Sequence, residues 1–186
     1  MNTLRQELIA LRNEADDEMR RQWGRSLPFA ESLFDRWERA TRLGFGDESS
    51  VYDSSLVYGS VSVGAHTWVG PFVVLDGSGA DLTIGDFCDI SAGVQIWTHG
   101  TELRCVSLGS IPVNKAPVSV GDGTYLGSQS IILPGVEIGS CCIVGANSFV
   151  NTDIPDRSVM AGSPVRRIGE VVGEGSETRI VPVSDS

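Results

Sequence analysis

His99 is the side chain of this sequence that is best placed for chemistry at neutral pH. It ends the segment SAGVQIWTH, directly before a long segment without a regular pattern. An imidazole titrates near neutral pH, so it can take a proton from a hydroxyl or an amine. The one other histidine, His66 in GAHTWVG, is expected to be a solvent-facing corner residue. We therefore predict that His99 is a general base, with an incidental corner histidine as the alternative interpretation.

A repeat of six residues runs through most of the chain and must position His99. Glycine directly follows many of its aliphatic residues, and a small or β-branched residue usually comes four positions after each. The aliphatic positions are Val51, Val57, Val63, Val69, Leu75, then Ile84, Ile90, Ile96, and finally Val120, Leu126, Ile132, Ile138, Val144, Val150. An α-helix does not produce a strict period of six. The pattern predicts short strands and corners that stack into an all-β solenoid, with the aliphatic side chains inside.

Residues 117–168 resemble the C-terminal signature of hexapeptide-repeat sugar O- and N-acetyltransferases of the galactoside and maltose acetyltransferase type. Their sequence is PVSVGDGTYLGSQSIILPGVEIGSCCIVGANSFVNTDIPDRSVMAGSPVRRI. The resemblance implies a left-handed parallel β-helix in which three repeats make one triangular coil. It also implies acetyl-CoA as cosubstrate and a homotrimer with active sites between neighbouring subunits. In this family a histidine before an extended loop, the place of His99, is the general base.

Asp76 and Asp81 are candidates for orienting His99. On a triangular coil, His99 lies at the corner that follows the face of Ile96. One coil earlier, the same corner contains the insertion DGSGAD, residues 76–81. A carboxylate there could accept the second ring proton of His99 and fix its tautomer, with Asp76 the first choice and Asp81 the second. The alternative is a solvated turn, because Asp, Gly and Ser are common turn residues.

The resemblance also assigns residues to coenzyme A. The dipeptide Gly127–Ser128 is matched to the pantetheine channel, and Gly145–Ala146 is matched to a site that binds the pantetheine amides. Arg166 or Arg167 is matched to a phosphate of coenzyme A. The cofactor-binding candidates are Gly127, Ser128, Gly145, Ala146, Asn151, Arg166 and Arg167. Asn151 is followed by Thr152 where relatives often carry Thr-Lys, so one cationic contact is missing. For the acceptor we predict contacts from Trp97, beside His99, and from Glu102 and Arg104 in the following loop.

These features predict an acetyl-CoA-dependent acyltransferase. The expected acceptor is a hydroxyl or amine of a sugar or nucleotide-linked sugar, as in surface polysaccharide biosynthesis. No acyl-enzyme is expected, since no cysteine or serine is paired with the base in a recognisable motif. Two alternatives are a non-catalytic β-helix scaffold and a metal-dependent hydratase that resembles gamma-class carbonic anhydrase. The hydratase needs three histidine ligands, and with two histidines at unrelated corners we predict no metal site.

Amino-acid composition indicates which binding partners and which cellular compartment to expect. Lys and Arg number 14 against 24 Asp and Glu, which gives a formal charge of −10. This excess repels phosphate backbones and anionic lipid, so neither nucleic acid nor a membrane is expected as a partner. Apolar runs are far shorter than the ~20 residues that span a bilayer, and residues 1–12 lack a signal-peptide pattern. The four cysteines have no CxxC spacing, which predicts reduced thiols and a cytoplasmic protein.

Three regions are predicted along the chain. Residues 1–45 are expected to form an N-terminal helical cap, with a lid over a neighbouring subunit's acceptor pocket as a further role. Residues 46–170 are expected to form the β-helix, from which residues 99–116 are extruded as a loop, and residues 171–186 are expected to be a C-terminal tail.

Outward-facing apolar residues of the β-helix should need cover by other subunits of a homotrimer. These residues are Trp68, Tyr125, Ile131 and Phe149.

Overall fold

The computed structural model describes residues 3–183. In chain order, three N-terminal helices are followed mainly by short strands. The helices are α1 Thr3–Trp23, α2 Phe29–Leu33, α3 Arg36–Arg42 and α4 Glu102–Val106. The strands are β1 Ser50–Val51, β2 Leu56–Val63, β3 Trp68–Val69, β4 Val74–Ile84, β5 Asp89–Ile90, β6 Gln95–Trp97, β7 His99–Gly100, β8 Asn114–Lys115, β9 Val118–Val120, β10 Tyr125–Leu126, β11 Ile131–Ile132, β12 Glu137–Ile138, β13 Ile143–Val144, β14 Phe149–Val150, β15 Ser158–Ala161, β16 Arg166–Val172 and β17 Arg179–Pro182.

Parallel pairing joins the repeat strands of one coil to those of the next. Val51 of β1 faces Val69 of β3, and Leu126 of β10 faces Val144 of β13. The partners in these pairs are three six-residue repeats apart, so the chain winds into stacked coils. The interval from β3 to β5 is longer, because the insertion DGSGAD lies in that coil.

The stacked strands form three faces, which we name A, B and C in chain order. Face A holds β1, β3, β5, β10, β13 and β15. Face B holds the first parts of β2 and β4 together with β6, β11 and β14. Face C holds the second parts of β2 and β4 together with β9 and β12. The corners between them are edge AB, which includes Phe72, edge BC, which includes Asp76 and His99, and edge CA, which includes Asp86.

The insertion DGSGAD is part of strand β4. Asp76 pairs with Tyr58, and after a register shift Leu82 pairs with Val61, so β2 and β4 cross edge BC without interruption. The main chain of Asp76 also pairs with Trp97 of the following coil. Asp76 is only 1% exposed. Asp76 is therefore not part of a solvated turn, because ladders on both sides hold it. Residues 78–81 lie where the register shifts, and Ser78 and Asp81 are exposed there.

The six-residue period correctly predicts which side chains form the core. Of the fourteen aliphatic positions, all but Val57 are buried. Val57 is half-buried and lies in the first coil, which has no further coil stacked beneath it. Most of the small or β-branched residues four positions later are also buried, among them Thr67, Cys88 and Thr124, whereas Val61 of the first coil is half-buried. Burial of this repeated stripe is the main favourable contribution to folding.

At edge CA, aspartate side chains connect successive coils through glycine positions. Oδ1 of Asp86 accepts a hydrogen bond from the Ala65 N–H (2.7 Å), and Oδ1 of Asp122 accepts one from the Asp86 N–H (2.8 Å). A Cβ at Gly85 would lie 2.1 Å from Oδ1 of Asp122. In each recurring Gly-Asp dipeptide, the aspartate therefore bonds an amide of the preceding coil, and the glycine leaves space for the aspartate of the next coil.

The N-terminal helices form where the sequence predicts them, but they differ in their contacts. Asp35 caps α3 by accepting hydrogen bonds from the N–H groups of Trp37 (2.8 Å) and Glu38 (2.9 Å). Ala40 of α3 is buried, and α3 packs against β1 at the open end of the stack. By contrast, α1 has no buried residue, and it packs against α2. Among residues 3–183, no helix combines the length and apolar composition needed to cross a membrane.

The predicted loop and tail both contain strands. The loop closes at its base, where His99 of β7 pairs antiparallel with Lys115 of β8. After the last coil, β16 pairs antiparallel with β15, and β17 pairs antiparallel with β16. The predicted boundary between residues 170 and 171 falls inside β16, because this strand continues the sheet of face A. Residues 1–2 of the predicted cap and 184–186 of the predicted tail lie outside the described residues.

Candidate active site

His99 and Asp76 meet at edge BC. Nδ1 of His99 lies 2.7 Å from Oδ2 of Asp76. The Asp76 side chain is buried, whereas that of His99 is 30% exposed. Asp81, the second candidate, is exposed at the far end of the insertion. The structure thus brings the predicted base to the first of the two predicted carboxylates.

Two adjacent coils position this pair. Asp76 lies on β4, and His99 begins β7 two residues after the end of the neighbouring strand β6. Gly79 allows the coils to approach closely, because a Cβ there would lie 2.7 Å from the Cβ of His99 and 2.5 Å from the carbonyl oxygen of Thr98. Any larger residue at position 79 would displace the histidine.

Hydrogen bonds hold Asp76 in its ionised form. Oδ1 accepts from the hydroxyl (2.5 Å) and the N–H (3.2 Å) of Ser78, and Oδ2 accepts from the Thr98 N–H (3.4 Å) as well as from His99. Burial by itself raises the pKa of Asp76. The hydrogen bonds from Ser78, His99 and Thr98 together outweigh burial, so the pKa lies below its ordinary value. Asp76 is therefore a carboxylate at neutral pH.

The carboxylate determines the tautomer of His99. An ionised carboxylate only accepts hydrogen bonds, so the neutral imidazole carries its proton on Nδ1. Nε2 is then the nitrogen that can accept a proton. The same division of roles occurs in Ser-His-Asp triads, where a buried aspartate orients the base. Here the pair is suited to taking a proton from a substrate hydroxyl or amine.

Of the predicted acceptor residues, Trp97 lies beside the pair. Its ring meets that of His99 edge to face, with centroids 6.1 Å apart and an interplanar angle of 83°. Its Nε1–H donates to the side-chain oxygen of Gln95 (3.3 Å), which fixes the indole on face B. Glu102 and Arg104 lie exposed on α4, in the loop that follows His99.

The predicted coenzyme A residues fall on two different edges of one chain. Gly127 and Ser128 lie on edge AB, with Gly145 and Ala146 one coil further along the same edge. Asn151 instead follows β14 and lies on edge BC, two coils beyond Trp97. Face B separates the two edges. Within one chain, His99 therefore does not line a cleft together with Gly127–Ser128 or Gly145–Ala146.

The amides on edge AB are not equally available to a ligand. The Gly127 N–H donates to the Val144 carbonyl (2.7 Å), and the Gly145 N–H donates to the Met160 carbonyl (2.8 Å). Both amides are thus used to join coils. The coils also approach closely here, because a Cβ at Gly127 would lie 2.6 Å from the Ala146 nitrogen. Within residues 3–183, the N–H groups of Ser128 and Ala146 have no such acceptor. We expect these two amides, rather than those of the glycines, to meet a ligand.

The predicted phosphate-binding arginines lie on β16, beyond the last coil. Arg167 forms an exposed ion pair with Glu170 (3.3 Å), and Arg166 donates to the Val165 carbonyl (2.8 Å). Both side chains are exposed. Within residues 3–183, no three His, Cys, Asp or Glu side chains are grouped as a metal site would require.

Sequence reasoning missed Ser78 and Thr98, which hold Asp76. Ser78 lies two residues after Asp76, the usual spacing for a side chain that bonds its own turn or bulge. Thr98 also donates through its hydroxyl to the Asp76 carbonyl (2.7 Å). The Asp-x-Ser spacing is a local signal that could have identified Ser78. The contact of Thr98 depends on coil stacking, which local spacing does not reveal.

Comparison with known proteins finds similar acetyltransferases. Residues 117–152 match the family described as bacterial transferase hexapeptide (six repeats). The galactoside O-acetyltransferase of Escherichia coli (strain K12) is 34% identical over 90 residues, which cover 48% of this chain and 44% of that protein. The chain is similar to hexapeptide-repeat acetyltransferases. The resemblance predicted from residues 117–168 is therefore confirmed, although the aligned part spans less than half of this curated relative.

Solved structures extend the likeness to most of the chain. The hexapeptide-repeat containing acetyltransferase VCA0836 of Vibrio cholerae O1 biovar eltor, complexed with acetyl coenzyme A, has a TM-score of 0.64 and 29% identity. The match covers 88% of each chain. The N-acyltransferase AntD of Bacillus cereus, in complex with dTDP and 3-hydroxybutyryl-CoA, has a TM-score of 0.58 and 22% identity, over 73% of this chain and 89% of that one. At that identity the second match shows the fold alone.

Proposed function

We propose that this chain is an acetyl-CoA-dependent acyltransferase whose acceptor is a hydroxyl or amine of a sugar. The observation that carries the proposal is the 2.7 Å contact between His99 Nδ1 and the buried carboxylate of Asp76. It leaves Nε2 as a proton acceptor at the base of the extruded loop. The relationship to hexapeptide-repeat acetyltransferases makes acyl transfer the reaction that such a base would serve.

His99 acts as base and then as acid in this reaction. When bound, acetyl-CoA supplies a thioester carbonyl as the electrophile. Nε2 of His99 takes the proton from the acceptor oxygen or nitrogen as that atom forms its bond to the carbonyl carbon. His99 then returns the proton to the thiolate that leaves when the carbon–sulfur bond breaks. Asp76 stabilises the imidazolium between the two steps.

We further propose a left-handed β-helix that assembles as a homotrimer through face B. The outward residues of this face are apolar except for Gln95; they are Leu56, Val74, Gln95, Ile131 and Phe149. Edges AB and BC bound face B. Closing three copies on this face therefore sets edge BC of one chain, with His99, beside edge AB of the next. Each active site is then completed by a neighbouring chain.

Edge AB of the neighbouring chain would stabilise the negative charge that develops on the carbonyl oxygen. A donor aimed at such an oxyanion is among the largest single contributions to catalysis. The Ser128 amide is our candidate, since the amide of Gly127 already joins two coils. The arginines of β16, exposed beyond the last coil, would pair with the phosphates of coenzyme A, and Asn151, on the same edge BC as His99, would lie along the cosubstrate.

An assay of thiol release from acetyl-CoA tests the proposed function directly. The purified protein is incubated with acetyl-CoA and a panel of free sugars, glycosides, aminosugars and nucleotide-linked sugars. We expect acceptor-dependent release with at least one sugar, and binding of coenzyme A by calorimetry without any acceptor. Absence of coenzyme A binding would contradict the proposal and favour a scaffold role.

A further inference from the structure

Two exposed aromatic side chains lie on the edges that bound face B, on the N-terminal side of His99. Tyr58 pairs with Asp76, which pairs with Trp97, so the three residues form one column along edge BC. Tyr58 is 46% exposed. Phe72 lies on edge AB in the coil of Asp76 and is 66% exposed.

The backbone of Phe72 is held in an uncommon conformation. Its φ is 60°, in the left-handed region that a bulky aromatic residue rarely adopts. The equivalent corner positions of later coils carry Gly93, Gln129 and Asn147, and glycine and asparagine suit this conformation much better. Phe87 adopts the same conformation on edge CA (φ 55°), but its ring stacks on that of His66, with centroids 4.4 Å apart. Among the described residues, Phe72 has no such aromatic partner, so its ring is open to a ligand or a neighbouring chain.

The first coils of the β-helix carry acidic residues and no Lys or Arg. The sequence contains no Lys or Arg between Arg42 and Arg104, whereas acidic residues recur throughout that stretch. Of the helix arginines that contact the first coil, Arg36 donates to the Tyr52 hydroxyl (2.8 Å), and Arg39 donates to the carbonyls of Tyr52 and Ser55 and lies 3.8 Å from Asp53. At the other end, Arg166 and Arg167 are exposed. Phosphates of the donor are thus favoured beyond the last coil, and phosphates are disfavoured beside Tyr58 and Phe72.

We propose that Tyr58 of one chain and Phe72 of the neighbouring chain form the acceptor platform, and that the acceptor is a sugar ring without phosphate. This inference rests on the proposed acyltransferase function and on assembly through face B. Donor and acceptor must approach His99 from opposite sides. With the nucleotide toward the C-terminal arginines, the acceptor occupies the first two coils. There the aromatic faces cover the apolar face of a pyranose, and the Tyr58 hydroxyl offers a hydrogen bond.

Removing either aromatic ring should weaken acceptor binding alone. For Phe72→Ala and Tyr58→Ala, we expect the KM of the acceptor to rise about tenfold, with the KM of acetyl-CoA changed less than about twofold. The matched control is Phe87→Ala, because Phe87 is 67% exposed and has φ 55° but lies on edge CA. It should leave both constants unchanged. An unchanged acceptor KM in Phe72→Ala, or an equal rise in Phe87→Ala, would overturn the platform.

Mixed trimers test whether the two rings come from different chains. Neither His99→Ala nor Phe72→Ala trimers should contain an intact site. When the two variants are unfolded together and reassembled, sites that combine His99 of one chain with Phe72 of the other should recover the wild-type acceptor KM. Recovery by His99→Ala with Phe72→Ala, and not by a single variant carrying both changes, is the expected result. No recovery, in trimers confirmed as mixed by mass spectrometry, contradicts the arrangement.

Comparing neutral with phosphorylated acceptors tests whether phosphate is disfavoured beside Tyr58 and Phe72. A sugar that is acetylated should be compared with its phosphate ester and its nucleotide-linked form at low and high salt. We expect kcat/KM to be at least about tenfold lower for the phosphorylated forms, with a smaller difference at high salt. A preference for the nucleotide-linked sugar overturns this inference while leaving acyl transfer intact. Lack of turnover with every acceptor would instead contradict the proposed function.

Discussion

At the scale of single residues, the site depends on what each nitrogen of His99 faces. Nδ1 faces the carboxylate of Asp76, so the base acts through Nε2. His99→Asn should lower kcat by roughly 10²–10⁴, the usual scale for loss of a general base, with little change in coenzyme A affinity. Steady-state kinetics and calorimetry measure the two quantities. His66→Asn is the control, since His66 is paired with Glu48 on another edge; near-wild-type turnover in His99→Asn would refute the assignment.

Asp76→Asn should separate orientation of the base from its presence. An amide can donate to Nδ1, which favours the wrong tautomer, so kcat should fall by roughly 10²–10⁴ while His99 remains. The exposed Asp81→Asn should retain activity. If the two variants lose activity equally, Asp76 is not the orienting residue.

The stability of Asp76→Asn should also depend on pH differently from that of the wild type. The folded-state pKa of Asp76 is lowered, so its ionised form contributes stability above its unfolded pKa of about 3.9. That contribution is lost as the pH falls through the folded pKa. We therefore expect the difference in unfolding free energy between wild type and Asp76→Asn to shrink below about pH 4. Urea unfolding from pH 3 to 6 measures it, and a difference that grows toward acid contradicts the account.

At the scale of the element, each corner of the coil limits which side chains fit. Gly85→Ala should destabilise the protein by about 1–3 kcal/mol, because the new Cβ would lie 2.1 Å from Oδ1 of Asp122. Denaturant unfolding checks this. In an Asp122→Ala background the clashing oxygen is absent, so the same substitution should cost less. Equal costs in both backgrounds would mean that the carboxylate is not the obstacle.

The sequence predicts elements well where a single period controls burial. Ile96 and Ile132 are placed on one face by counting sixes, and the pairing of β6 with β11 confirms it. The contact between Asp76 and His99 was open to two interpretations, because the same letters DGSGAD suit a turn or a bulged strand. Only the ladder partners on neighbouring coils decide this. Thr98 was missed for the same reason, since its bond to Asp76 crosses between coils.

At the scale of the whole molecule, the single chain leaves large apolar side chains exposed. On α1, the apolar side chains of Leu8 and Leu11, which are three residues apart, are exposed. Among the outward residues predicted to need cover, Trp68 meets Tyr52 edge to face within the chain, whereas Tyr125 is 42% exposed. Periodicity identifies an apolar helix face, but a neighbouring chain's surface is not encoded in local spacing. Subunit contacts are thus the part of the prediction that sequence patterns support least.

Assembly through face B is the prediction that joins the site to the whole molecule. We expect light scattering to give three times the chain mass of 19.9 kDa at micromolar concentration. Ile131→Glu places a charge on face B, so it should dissociate the trimer and abolish turnover, because His99 then loses the neighbouring edge AB. Thr83→Glu is the matched control on face C, whose outward residues Ser62, Thr83 and Glu137 are polar and exposed. A monomer in the wild type, or a fully active monomer of Ile131→Glu, would show that the site belongs to one chain.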